Sequence, residues 1–505
     1  MPKHPSHATP LGTKSYFAGP TQKTSIQGSL LGRTGLSVSS FALGGNLFGQ
    51  DDTQISVIEK AISSGINLID TSAIYQDGKS QKAIGEALNR LVRQERIERS
   101  QIVLSLKVGY LEGLELALAQ NRTPSDHSSP DDILRLSDDF WYSIEPGLIE
   151  DQITRSLERL GVECLDFVLL QNPEFILQGD PSHRKFYDKV KRAFAHLEEE
   201  RESGRIQYFG VSSNGFVLEN THPLFVSLEV LKEIAETVAA DLKRPNHGFA
   251  MIEFPFNLLE PGAVFEQAHL GKSTVEWAMA QKVGAIAHRP FRAYFNDTPI
   301  QLTDFPNHHG DDLEDELMAA MKRALDLEMT YPGKAIVPAN RIAWGHILRQ
   351  NFQQLSQLKA WRIHLAQEIL PTFERAIALL HESGGALSNW ARDYRPVANA
   401  LFETFTRYLE QDCAFRARRI AAQIDRACPE LLSTPELAKK VLRLCRSFPG
   451  IQSQVVGMHK MEYVESVLQS GAPVHPEFAT DAIEAVIEAL SEELVQDEPE
   501  SSTNH

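Results

Sequence analysis

Residues 148–173 read LIEDQITRSLERLGVECLDFVLLQNP. The first half sets Ile149, Ile153, Leu157 and Leu160 at intervals of three and four, which is the spacing of one helical face. The second half, CLDFVLLQNP, is an apolar run about the length of a buried strand that closes on Asn and Pro. Outward from this helix–strand pair the same alternation recurs. Strand-like runs stand at 37–45 (SVSSFALGG), 67–72 (NLIDTS), 102–109 (IVLSLKVG), 206–213 (IQYFGVSS), 248–255 (GFAMIEFP) and 283–290 (VGAIAHRP). Segments of helical spacing lie between them, such as 55–65, where Ile55, Ile58 and Ile62 share a face. Strand and helix in alternation predict a parallel sheet covered by helices.

After Pro290 the strand rhythm stops. Leu348, Phe352, Leu355, Leu358, Trp361, Leu365 and Ile369 form one helical stripe, and Phe402, Phe405 and Leu409 begin another. Three long helices are predicted there, at 311–328, at 341–382 with a break near Pro371, and at 395–430. The segment 434–450 then reads as an N-capped helix closed by Pro-Gly, and 452–458 (QSQVVGM) as an eighth strand. Eight units with a helical insertion before the last suggest a (β/α)8 TIM barrel, although the count alone also permits a large open doubly wound sheet. An open dinucleotide fold calls for G-x-G-x-x-G, and no G-x-G occurs in the chain. A phosphate loop is excluded as well, because the glycine required five residues before Gly78-Lys79-Ser80 is Ala73.

Composition narrows the partners. The chain has 505 residues, 42% of them hydrophobic, with Lys+Arg 50 against Asp+Glu 67 for a net charge of −17. That balance suits a large folded core and offers no positive field for nucleic acid. No run approaches the ~20 apolar residues of a membrane span. The four cysteines, Cys164, Cys413, Cys428 and Cys445, form no C-x-x-C pair, which points to a reducing, cytoplasmic location without a disulfide framework or thiolate metal site.

In a barrel, reactive groups are expected where strands end and the loops of the C-terminal face begin. Strand two reaches Asp70, with Tyr75 five residues on; strand three ends around Lys107; strand four ends at Gln171. An ammonium near a phenol favours the phenolate, and a carboxylate keeps that ammonium charged, so Tyr75 is expected to serve as a proton donor. The competing reading has Asp70 capping a helix, Tyr75 packing in a loop and Lys107 reaching to solvent.

Seven segments then carry a resemblance: LGRTGLSVSSFALGG (31–45), IDTSAIYQDGKSQKAIGEAL (69–88), SLERLGVECLDFVLLQNPE (156–174), GRIQYFGVSSN (204–214), FPFNLLEPGA (254–263), IAHRPF (286–291) and PGIQSQVVGMHKMEYVESVL (449–468). In this order they resemble the aldo-keto reductases, NADP(H)-dependent carbonyl reductases built on a TIM barrel. The resemblance implies reversible hydride transfer between nicotinamide and an aldehyde, ketone or alcohol. Asp70, Tyr75 and Lys107 match three members of that family's catalytic tetrad, and Gln171 stands where the fourth is usually His. Glutamine orients a carbonyl through an N–H but carries no proton as His does. Hence the alternative of an NADP(H)-binding regulatory or scaffold protein with little turnover.

By the same resemblance Ser212, Ser213 and Asn214 match contacts to the nicotinamide carboxamide. Glu253 takes the place of a Gln partner of that amide, where its charge would favour the oxidised ring; a salt bridge is the competing role. His288 falls where a ring stacks on the nicotinamide, Arg289 and Phe291 open the loop toward the pyrophosphate, and Gly457, Met458, His459 and Lys460 lie in the region of the 2′-phosphate. The expected layout is a flexible arm 1–27, barrel strands one to seven in 28–299, the insertion 300–433, the last barrel elements 434–490 and an acidic tail 491–505. Leaving strand seven, the insertion is expected on the catalytic face as a lid or as a docking surface for a protein partner or second copy. The patch Asn307-His308-His309-Gly310-Asp311-Asp312 reads as a solvated loop, with no metal expected.

Overall fold

In the computed structural model, residues 6–18, 26–121, 132–296, 298–306 and 312–497 are described. The histidines of the 307–312 patch, half of the polar excursion 121–140 and the end of the acidic tail lie outside them. The chain divides into two units, one comprising 1–302 with 423–505 and the other Thr303–Ala422.

The first unit is a closed barrel of eight parallel strands. In chain order they are strand one, Phe41–Gly44; two, Leu68–Ser72; three, Val103–Val108; four, Leu165–Gln171; five, Ile206–Ser212; six, Phe249–Pro255; seven, Gly284–His288; and eight, Ser453–Gly457. Each pairs with its sequence neighbours, and strand eight closes on strand one through Gln454–Phe41 to Gly457–Gly44. Such strands are buried on the helix side and on the barrel side, which is why they read as apolar runs without alternation; all of Leu165–Leu170 is buried. The layers inside include Ala42, Leu68, Val103, Phe167, Leu169, Met251 and Ile286, together with Leu31, Leu36 and Val38 from a short hairpin pairing Gly28–Leu30 with Ser37–Ser39.

Helices start where side chains satisfy their free N–H groups. Glu145 accepts from Leu148 before Pro146–Leu160, which ends on left-handed Gly161, and Ser273 forms a capping box with Glu276 before Thr274–Gln281. Two additions were not legible as strands. After strand three, Tyr110–Glu112, Leu134–Arg135 and Phe140–Tyr142 make a small antiparallel sheet, and after strand seven Arg292–Phe295 pairs with Thr298–Gln301. The strand content therefore does not stop at Pro290 as the sequence rhythm suggests.

The Thr303–Ala422 unit is helical and has its own core, in which Leu317, Met321, Leu348, Trp361, Phe373, Ile377, Trp390, Tyr394, Phe402 and Phe405 are buried. Its first helix is Leu313–Met329. The predicted helix 341–382 is instead a series: Trp344–Gln350, Phe352–Leu355, Leu358–His364, a π turn at Leu365–Ile369, and Leu370–Glu382. The last helix begins at Gly385 rather than 395 and runs to Ala427 with Pro396 inside it. Buried Ala391, Tyr394, Ala398 and Leu401 continue one face through the proline, so packing overrides the lost hydrogen bond.

Candidate active site

Strand register assembles the site. Asp70 pairs with Ser105, so Lys107 two residues further lies on the same face. Lys107 pairs with Leu169, which puts Gln171 on that face of strand four, and Ser212 stands between Gln171 and Glu253 on the neighbouring strands. The Lys107 ammonium donates to Asp70 Oδ2 at 2.9 Å and, across the interior, to Glu253 Oε1 at 3.0 Å. Ser212 Oγ donates to the same Glu253 oxygen at 3.2 Å. All three charged side chains are buried.

Tyr75 follows strand two at the head of the turn Tyr75–Gly78, in which Gln76 and Asp77 have φ of 52° and 54°. Contacts to neighbouring elements help to hold this turn. Arg159 donates to the Ala73 carbonyl at 3.0 Å, and Asp77 Oδ1 accepts from Leu114 N at 3.0 Å. The Tyr75 ring centre is 6.0 Å from Lys107 Nζ.

The electrostatics correct one expectation. Burial raises the Tyr75 pKa above the ordinary phenol value; Lys107 opposes the rise, while Asp70 and Glu253 add to it. The ammonium therefore does not make this phenol acidic overall. Burial works against charge on Lys107, yet Asp70 and Glu253 overcome it and hold its pKa well above the usual lysine range. Burial pushes Asp70 up to about 7, with Lys107 pulling down and Glu253 pushing further up. Glu253 contacts Lys107 and Ser212, the salt-bridge role that the sequence also allowed.

The remaining residues fall around the carboxyl ends of strands four to eight. Ser213 donates to Glu174 Oε2 at 2.7 Å, and the Asn214 backbone N–H to Glu174 Oε1 at 2.8 Å. Glu174 thus organises the turn after strand five. It adjoins the quoted QNP motif, and its role has no signal in spacing because its partners lie on another strand. Burial pushes its carboxyl up to about 7 against these hydrogen bonds. His288 ends strand seven; burial, with Arg289 and Lys107 nearby, keeps its imidazole well below the usual range and so neutral. Arg289 has φ of 59° and donates to Glu260 Oε1 at 2.7 Å, a partner absent from the sequence reading. Phe291 is half-buried, and its carbonyl accepts from Leu302. Gly457 is exposed at the end of strand eight, whereas the side chain of Met458 is fully buried and belongs to the core. His459 is half-buried, and exposed Lys460 precedes helix Met461–Leu468, 5.5 Å from the Tyr463 ring centre.

An aromatic group was also missed. Tyr110, Phe140, Tyr142 and Phe175 pack with ring centres 5.2–6.0 Å apart, and Asn172 Nδ2 donates to Tyr110 Oη at 2.6 Å beside Gln171. These rings come from strands of three residues and one short helix, too short for a periodic signal.

Against known proteins, residues 40–269 match the Aldo/keto reductase family. A putative voltage-gated potassium channel subunit beta of Schizosaccharomyces pombe is 27% identical over 221 residues, 43% of this chain and 54% of that protein. A D-threo-aldose 1-dehydrogenase of a Pseudomonas species is 32% identical over 192 residues, 35% of this chain and 51% of that protein. The chain thus spans about half the length of these two relatives. An uncharacterised oxidoreductase of Bacillus subtilis, YrpG, is 28% identical over 349 residues, 67% of this chain and 92% of that protein.

Proposed function

We propose that the chain, whose residues 40–269 match the aldo/keto reductase family, is an NADP(H)-dependent oxidoreductase interconverting a carbonyl and an alcohol, with Tyr75 as proton donor. The observation that carries this reading is the buried Asp70–Lys107 pair beside Tyr75 at the end of strands two and three. The cofactor reading is supported by side chains around the same end of the barrel. Gln171 Oε1, Asn214 Oδ1, Arg289 Nε and His459 Nδ1 are buried polar atoms without a hydrogen-bond partner, a costly state in the absence of a ligand.

Ser212, Asn214 and neutral His288 would hold the nicotinamide end, and Arg289, His459 and Lys460 the phosphates, with the Lys460 cation at a helix start suited to a 2′-phosphate. The nicotinamide, when bound, supplies or accepts the hydride. Tyr75 gives its hydroxyl proton to the substrate oxygen as the carbon is reduced, and takes it back in oxidation. Lys107 stabilises the phenolate left behind, and Asp70 fixes Lys107. Gln171 directs an amide N–H at the substrate oxygen without changing charge. Water is kept from Lys107 by its burial between strands two, three and six.

The test is a fluorescence titration with NADPH followed by a screen of aldehydes and ketones for NADPH consumption. Saturable binding with consumption supports the proposal; absence of binding overturns it. A second reading, a cofactor-binding protein with little turnover, is favoured by Gln171 and would be supported by binding without consumption by any carbonyl.

A further inference from the structure

Lys107 contacts two buried carboxylates: its Nζ donates to Asp70 Oδ2 at 2.9 Å and to Glu253 Oε1 at 3.0 Å. An ammonium has three N–H groups, so two are committed away from the phenol. The other groups around it bring no compensating charge. Strand four contributes Gln171, strand five Ser212, and strand seven a neutral His288, with Arg289 beyond it paired to Glu260. With both carboxylates ionised, as in the alkaline range where a phenol titrates, Asp70, Glu253 and Lys107 sum to one negative charge, and ionising Tyr75 would raise this to two within a buried space. Like charges at short range oppose ionisation, most of all where solvent is excluded.

We propose that Glu253 is a positioning residue that claims the Lys107 ammonium and thereby weakens Tyr75 as an acid. The proposal rests on the functional reading for its catalytic consequence, since the proton moves from Tyr75 Oη to the substrate oxygen while hydride arrives at the substrate carbon. Its electrostatic content does not need turnover. Removing the charge at 253 leaves Lys107 with one carboxylate and makes the phenolate cheaper to form. Ser212, which shares Oε1 with Lys107, keeps the Glu253 side chain in this orientation.

The experiment is an ultraviolet difference titration of the phenolate band in the full chain. The parent, Glu253→Gln and Glu253→Asp are each compared with the same protein carrying Tyr75→Phe, which isolates Tyr75. Expected is ionisation of Tyr75 at a pH lower by roughly one unit or more in Glu253→Gln, with Glu253→Asp following the parent. Where the parent does not ionise before alkaline unfolding, appearance of the step in Glu253→Gln is the same result. An unmoved step overturns the proposal, and so does an equal fall in Glu253→Asp. Glu253→Met, neutral and of similar length, gives the reading should the amide variant not fold. NADPH affinity is measured in parallel: altered affinity with an unmoved Tyr75 step makes Glu253 a cofactor contact and overturns the inference. A parent that neither binds NADPH nor reduces any carbonyl overturns the functional reading, while the titration still decides this one.

Discussion

Tyr75 and Gln171 together set what the site can do to a proton. Tyr75→Phe removes the hydroxyl and leaves the ring in place, so turnover is expected to fall ~10²–10⁴-fold with NADPH affinity unchanged, read by steady-state kinetics and fluorescence titration. Gln171→His adds a group that titrates near pH ~6.5. Carbonyl reduction in that variant is expected to acquire a pH dependence in this range beyond the one that Asp70, pushed up to about 7, gives the parent, and identical pH–rate profiles would place residue 171 outside the reaction. Glu174 acts on stability instead. Its folded pKa of about 7 lies above the ordinary 4.5, so between these values the folded protein holds more protons than the unfolded chain. Stability therefore falls as pH rises through that window and the loss is complete above it, at most about 3 kcal/mol. Glu174→Gln is expected to flatten the dependence of the melting temperature on pH from about 5 to about 7. Asp70, pushed up by burial over the same range, keeps a residual slope. Asp70, Tyr75 and Lys107 stood out in the sequence because each sits at a strand end. The pairing of Lys107 with Glu253 did not, since nothing in linear spacing tells which inward side chains of strands three and six meet across a barrel.

Elements were legible in proportion to how one-sided their burial is. The eight barrel strands are covered on both faces, and their apolar runs marked them to within a few residues. The small sheet after strand three mixes exposed and buried residues over two or three positions, and no period survives at that length. In the helical unit the error was of another kind. A start at 395 was expected, but the helix Gly385–Ala427 begins ten residues earlier and runs through Pro396, which is exposed. A proline inside a helix costs about 3 kcal/mol through the missing N–H and the crowded preceding turn. Because no packed surface is lost at that exposed position, Pro396→Ala is expected to stabilise the helical unit by about 1–3 kcal/mol, seen as a higher melting temperature. A lower melting temperature would mean that the backbone at 396 is bent for a reason its burial pattern does not reveal.

At the scale of the whole chain, two cores formed by different segments set the expected unfolding behaviour. The barrel closes only when strand eight, on the far side of the helical segment in sequence, pairs with strands seven and one. The Thr303–Ala422 segment buries Trp361, Phe373, Tyr394 and Phe405 in a cluster drawn from its own helices. Chains with separate cores depart from all-or-none unfolding. The candidate cofactor residues all belong to the barrel, from Ser212 on strand five to Lys460 after strand eight. A ligand stabilises only the unit whose folded form binds it, by about 2.7 kcal/mol at a hundred times its dissociation constant. Calorimetry is therefore expected to resolve two transitions, of which saturating NADPH raises one and leaves the other in place. Ser212→Ala with Asn214→Ala should shrink that rise without moving the second transition. A single transition that NADPH displaces as a whole would instead show that the helical unit and the barrel unfold as one body, and the helical segment would then have to be counted among the determinants of cofactor affinity.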